Sequence, residues 1–220
     1  MDLSTLINQS ILENRHEQSR GYIGASQIGS DCQRAIWYTY KGYDKLVFNP
    51  RTKINYEIGK NLERFFMGCL AECGLNIECA EEKNDYLFVQ DKAIPIFQGH
   101  LDGILTMPNG EKCVVEFKTC KNTSFIKFKK LGLRKWSIPY YSQIQSYMGM
   151  SGISMGVLLA INKDTSELHH EYISFNSAFY EGLCLRAETL SHADEAPERI
   201  NKNPCFYLCS TCPYKKVCHD

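Results

Sequence analysis

The segment from residue 97 to residue 119 most restricts what this chain can fold into. Asp102 stands in Gly-His-Leu-Asp-Gly-Ile-Leu at the end of one strand-like run. Pro108, Asn109 and Gly110 then spell a hairpin turn, and residues 111–119 read as the next strand. Glu116 and Lys118 interrupt the apolar run of Val114, Val115 and Phe117. Residues two apart in a strand share a face, so Glu116 and Lys118 point the same way and Phe117 points into the opposite packing layer.

An acid followed by Glu-x-Lys on a neighbouring strand suits metal-assisted phosphodiester hydrolysis. A hard divalent ion such as Mg²⁺ prefers carboxylate oxygens. Asp102 and Glu116 can supply them from adjacent strands, with the Phe117 carbonyl as a further donor. Lys118 can orient a water or stabilise charge near a phosphate. Glu63, from an amphipathic stretch upstream, completes the set directly or through water. An isolated Glu-x-Lys is more often a solvated strand face. Here the apolar flanks and the preceding Asp102 favour the chemical reading.

Length and charge bound the rest. The 220 residues suffice for one sizeable domain or for a domain with a small appendage. No run of about 18 apolar residues appears, so no membrane span is expected. The opening residues lack a basic segment followed by an apolar one, which makes a reducing cytosol the default compartment. Lys and Arg number 25, as do Asp and Glu, so local rather than net charge must advertise a nucleic-acid partner. Residues 118–135 supply it, with Lys118, Lys121, Lys127, Lys129, Lys130, Arg134 and Lys135 and no acid. Phe125, Phe128 and Trp136 interleave with these, as stacking surfaces in a strand-tracking groove would. A solvated basic helix is the plainer alternative. Gln143 and Tyr147 are four apart on one helical face.

Of the eleven cysteines, all but Cys32 divide into two sets. Cys69, Cys73, Cys79, Cys113, Cys120 and Cys184 lie in apolar or periodic segments and read as buried thiols. The tail carries Cys209-x2-Cys212-x5-Cys218, with Cys205 just before. Such spacing aims thiolates at one ion or cluster.

Periodicity places helices at 2–19, around 31–38 with Ser26 as a candidate cap, at 53–73, 137–150 and 176–192. Strands fall at 76–90, 92–107 and 111–119, with a hairpin at 156–161 and 168–175. That order predicts an α/β fold: a central mixed sheet flanked by helices, with N-terminal helices and a cysteine-rich metal-binding tail. Residues 1–200 form the main domain and 201–220 the tail.

Taken in order, the motifs resemble a known family. They are Ser26-x5-Cys32-x-Arg34-x2-Trp37-Tyr38, Gly59-x3-Glu63, Gly99-His-Leu-Asp102, Glu116-Phe-Lys118-Thr, Gln143-x3-Tyr147 and the cysteine tail. The chain is similar to the RecB-type branch of the PD-(D/E)XK nucleases, and within it to phage-encoded iron–sulfur exonucleases and the CRISPR-adaptation nuclease. The resemblance implies a restriction-endonuclease-like core and Mg²⁺ or Mn²⁺ on Glu63, Asp102 and Glu116. It implies a catalytic Lys118 supported by Gln143 and Tyr147. It also implies a 4Fe-4S cluster on Cys32, Cys209, Cys212 and Cys218. Cys205 and His219 are alternative ligands, and His219 would favour Zn²⁺. Arg34 and the basic residues of 121–135 would contact DNA. The implied activity is exonuclease action on single-stranded DNA or DNA ends, alongside phage or host recombination proteins in the host cytoplasm. Alternatives are a structure-selective endonuclease, a non-catalytic DNA-binding or adaptor protein of the same fold, and a zinc-dependent interaction module. Gly59 stands where many relatives carry histidine, and His100 is a weak further site candidate.

Overall fold

The computed structural model describes residues 2–13, 21–44, 50–79 and 87–220. Its first half runs α1 (Leu3–Glu13), β1 (Ile23–Gly24), α2 (Ala25–Ile28), α3 (Gln33–Tyr40), α4 (Pro50–Glu72), β2 (Asn76–Cys79), β3 (Leu87–Gln90), β4 (Phe97–Leu101) and β5 (Gly103–Thr106). There follow β6 (Lys112–Cys120), α5 (Asn122–Leu131), α6 (Leu133–Trp136), α7 (Ile138–Ser151), β7 (Met155–Asn162), β8 (Leu168–Ser174), α8 (Ser177–His192), α9 (Tyr207–Ser210) and α10 (Lys215–His219).

Five strands form a mixed sheet in the order β2-β5-β6-β7-β8. Only its β6–β7 pair is parallel, and the connection between those strands carries α5, α6 and α7. One face of β6 sends Val114 into a core with Ile144 and Met148 of α7. The other sends Cys113, Val115 and Phe117 against Met67 and Phe66 of α4. A helix layer on each side explains why this strand is apolar on both faces until Glu116.

A second, three-stranded sheet has the order β1-β4-β3, with β1 parallel and β3 antiparallel to β4. Only Asp102 separates β4 from β5, so the chain leaves one sheet and enters the other at that residue. This corrects the expectation of single strands at 76–90 and 92–107. Each window holds two short strands divided between the sheets, and residues 80–86 lie outside the described residues. Glycines flank the break because neighbours press on the backbone there. A Cβ at Gly99 would lie 2.4 Å from the Tyr147 ring, and one at Gly103 would lie 2.4 Å from Met67 Cε.

Local chemistry sets the helix ends around the site. Ser137 caps α7, its Oγ accepting from the Tyr140 amide at 3.4 Å, and Gly152 closes the helix at φ 73°. Asn176 caps α8, accepting from the Phe179 amide at 2.9 Å. Gln145, fully buried in α7, ties both layers to that cap: its Nε2 donates to the Ser174 carbonyl and its Oε1 accepts from the Asn176 amide. Ser26 does not cap the helix around 31–38. It lies within α2, and α3 starts after Cys32 without a side-chain cap. Ser30 Oγ accepts from the Cys32 amide instead.

The tail packs on α3. Trp37 Nε1 donates to the Ala193 carbonyl (2.9 Å), and Thr39 Oγ1 shares a 2.9 Å hydrogen bond with the Tyr214 hydroxyl. The Tyr38 and Tyr214 rings lie 5.5 Å apart. No helix is long and apolar enough to cross a membrane among the described residues.

Candidate active site

Where β4 passes into β5, a cavity of about 430 Å³ opens between α4, β6 and the first turns of α7. Glu63, Asp102, Glu116, Phe117, Lys118, Gln143 and Tyr147 all line it, although the first and last lie 84 positions apart in the chain (147 minus 63).

Each side chain arrives for a local reason. Asp102 sits at the sheet-to-sheet joint, and its Oδ2 accepts from the Phe117 amide at 2.7 Å. That bond locks the carboxylate across β6 from Glu116. Lys118 Nζ donates to Glu116 Oε1, and the same ammonium lies 5.1 Å from the centroid of the Tyr140 ring. Glu116 is 1% exposed, and its Oε2 is buried with no hydrogen-bond partner. Phe117 points away, its ring stacked 6.1 Å from that of Phe66. Gln143 and Tyr147 share a face of α7, as their spacing predicts, and Gln143 Nε2 donates to the Tyr147 hydroxyl at 2.9 Å. Glu63 comes from α4, one turn after Gly59, whose missing side chain leaves the cavity open at that point.

Three carboxylates gather around the Lys118 ammonium, with Lys60 and Arg64 also acting on Glu63, and charge balance explains the electrostatics. Burial, reinforced by repulsion from Asp102, raises the Glu63 carboxyl to about 7. The same two causes raise Glu116 to about 8, against the pull of Lys118. Burial raises Asp102 as well, opposed by Lys118 and the Phe117 amide. Burial works against the Lys118 charge, but Glu116 and Asp102 outweigh it and hold the ammonium protonated. Such a site retains protons or attracts a cation. The unpartnered Glu116 oxygen and the all-oxygen donor set fit a hard divalent ion. Among the described residues, no group of three or more His, Cys, Asp or Glu side chains is already arranged to hold a metal ion.

Several cavity residues escape the sequence reading. Tyr140 precedes Gln143 by three positions and Tyr147 by seven, a helical-face signal that was available. Lys60, three before Glu63, carries the same signal. Tyr22 carries none, since only the pairing of β1 with β4 brings it here.

The basic segment corrects a second expectation. Phe125 and Phe128 are fully buried, and Trp136 stacks on Phe128 at 4.7 Å, so these rings are core rather than a platform for bases. Lys121, Lys127, Lys129, Lys130, Arg134 and Lys135 are exposed on or beside α5 and α6, away from the cavity walls. Lys129 pairs with Glu167 at 2.5 Å, and Arg134 lies over the Tyr141 ring. Arg34 is engaged structurally. Its Nη1 donates to the Pro197 carbonyl (2.7 Å) and its Nε to the Tyr38 hydroxyl (2.9 Å).

Cys32, Cys209, Cys212 and Cys218 line a separate cavity of about 240 Å³. His219 lines it too, its Nε2 buried and without a partner, whereas Cys205 is exposed elsewhere. Burial and the neighbouring thiols raise Cys209 and Cys212. Donor chemistry and the unpartnered nitrogen fit a thiophilic metal or cluster. Of the other cysteines, Cys113 and Cys120 are buried and Cys69 and Cys184 half-buried. Cys73 is exposed, contrary to expectation, and the Cys79 side chain lies outside the described residues.

No protein-family model matches the chain, and no curated protein matches it in sequence. Solved structures do match in fold. The chain is similar to SSO0001 (TM-score 0.61, 17% identity, 99% of this chain and 96% of that one). It is also similar to an alkaline exonuclease, LHK-Exo, from Laribacter hongkongensis (TM-score 0.58, 14% identity, 83% and 90%). A structure of LHK-Exo in complex with dAMP aligns equally well (TM-score 0.57, 14% identity, 85% and 90%). At these identities the likeness is one of fold.

Proposed function

We propose that this protein is a metal-dependent deoxyribonuclease acting as an exonuclease on single-stranded DNA or DNA ends. The observation that carries the reading is the Glu116 carboxylate. It is buried beside Asp102, Glu63 and Lys118 in an accessible cavity, with one oxygen left without a partner. A structural ion pair would have both oxygens satisfied. The fold likeness to an alkaline exonuclease, one structure of which holds dAMP, agrees with a nucleic-acid substrate.

Glu63, Asp102 and Glu116 would hold Mg²⁺ or Mn²⁺, with the Phe117 carbonyl as a further donor. The bound ion would supply charge neutralisation at the phosphate and a more acidic water. The chain's own groups do the rest. Lys118, kept charged by its carboxylate neighbours, stabilises the negative charge that grows on the phosphate oxygens. Tyr147 and Gln143 act as one hydrogen-bonded unit that fixes the cavity wall against β4. Asp102 is anchored through one oxygen by the Phe117 amide, which fixes the carboxylate at the joint between the two sheets. Cys32, just before α3, and the tail's Cys209, Cys212 and Cys218 would hold a 4Fe-4S cluster as a structural clasp between the two segments. A role at phage DNA ends during recombination or replication, in the host cytoplasm, rests on the sequence resemblance alone.

The test is cleavage of end-labelled single-stranded and duplex DNA by anaerobically purified protein with Mg²⁺ or Mn²⁺, beside Lys118→Ala. Nucleotide release from an end by the wild type and not by the variant is expected. Intact DNA while the divalent ion is bound would overturn the reading.

A further inference from the structure

We infer that the outward face of the three-stranded sheet is a subsite for an unpaired nucleobase, that of the nucleotide next to the phosphate held at the carboxylates. The inference deepens the nuclease reading and rests on it. β4 alternates buried Phe97, Gly99 and Leu101 with half-buried Gln98 and His100, so the latter two stand on the outward face. The antiparallel register sets Phe88 of β3 directly opposite His100, with ring centroids 5.7 Å apart at 56°. On the other side Tyr22, just before β1, meets His100 edge-on at 6.3 Å and 69°. The three rings form a row from β3 across β4 to the residue preceding β1.

That row leads out of the site. Tyr22 and His100 line the carboxylate cavity, and Phe88 continues the row outside it, 53% exposed. An exposed phenylalanine alone is ordinary. One that extends a contiguous aromatic row from a phosphate-handling cavity has a specific use. Aromatic rings on a sheet hold single strands by stacking, and tolerate any sequence because every base has a π-face. Spacing supports this occupant. His100 and Asp102 are two residues apart, about 7 Å along an extended backbone. A base on the rings and a phosphate at the carboxylates can therefore belong to adjoining positions of one strand. A paired base stays stacked within its duplex and presents no free face to the row, so this subsite would favour single-stranded ends.

Binding of labelled single-stranded oligonucleotides in Ca²⁺, with one abasic position moved stepwise from the end, tests the contact. Wild-type protein should lose about tenfold in affinity at one position. Phe88→Ala and Phe88→Leu should bind the intact oligonucleotide about tenfold more weakly and no longer register the abasic change there. Phe88→Trp should restore both. Phe88 is half out in solvent, so these variants should keep the wild-type melting temperature. An abasic penalty equal in wild type and Phe88→Leu, or no penalty at any position, would overturn the inference. Cleavage with Mg²⁺ is scored separately. A wild type that binds with the base signature but cuts nothing would sink the nuclease reading and leave the contact standing.

Discussion

Glu116 is held almost wholly out of water, with one oxygen given to Lys118 and the other to nothing. Its folded-state carboxyl lies at about 8 and that of Glu63 at about 7, against 4.5 for an unperturbed glutamate. Within that window the folded chain keeps protons that the unfolded chain has released. Stability from these groups is therefore complete below about 4.5 and lost as pH climbs through the folded values. Metal-free protein should melt at progressively lower temperature from pH 5 to pH 8. Glu116→Gln should flatten that slope and raise the metal-free melting temperature at pH 8 while abolishing cleavage. A melting temperature independent of pH across this range would contradict the burial account. Lys118→Ala should lower single-turnover cleavage by about 10²–10³-fold, the usual cost of losing one preorganised charge-stabilising donor. DNA affinity should change only severalfold, as read by titration beside the kinetics.

Among elements, the contact between β4 and α7 does most to assemble the site, and Gly99 makes it possible. A methyl group there would meet the Tyr147 ring at 2.4 Å and Ala25 Cβ at 2.9 Å, both in the core. Gly99→Ala should cost about 1–3 kcal/mol in urea denaturation and reduce cleavage, because it pushes Tyr147 off the strand that ends in Asp102. Gly68 is the internal control. It lies within α4 with nothing near its absent side chain, so Gly68→Ala should add about 0.4–1 kcal/mol without touching activity. A Gly99→Ala protein as stable and active as Gly68→Ala would contradict the close-approach account. α4 and β6 were legible in the sequence because amphipathic spacing and apolar runs are local signals. The expected windows 53–73 and 111–119 differ from the observed helix and strand by a few residues at either end. The windows at 76–90 and 92–107 failed because nothing within them reveals which sheet a short strand joins.

At the scale of the whole molecule, the chain is closed by its tail. Arg34, Trp37 and Thr39 of α3 bond to residues 193–214, and four cysteines from both ends share one cavity. Anaerobic protein should carry iron in cluster stoichiometry. Chelating it should expose α3 and the tail to protease together while the β6–β7 region stays protected; zinc without iron would instead identify the occupant as a zinc ion. The sequence by itself determined the long helices, the β7–β8 hairpin, the shared face of Glu116 and Lys118, and the pairing of Gln143 with Tyr147. Those features depend on periods of two and of 3.6 residues, which any short window displays. Only the tertiary structure decided the rest. It turned Phe125 and Phe128 into core, drew Arg34 onto backbone carbonyls, broke the chain between two sheets at Asp102, and brought Tyr22 to the carboxylate cavity. Each of these outcomes is a contact between distant segments, and its energy exists only once both partners are in place.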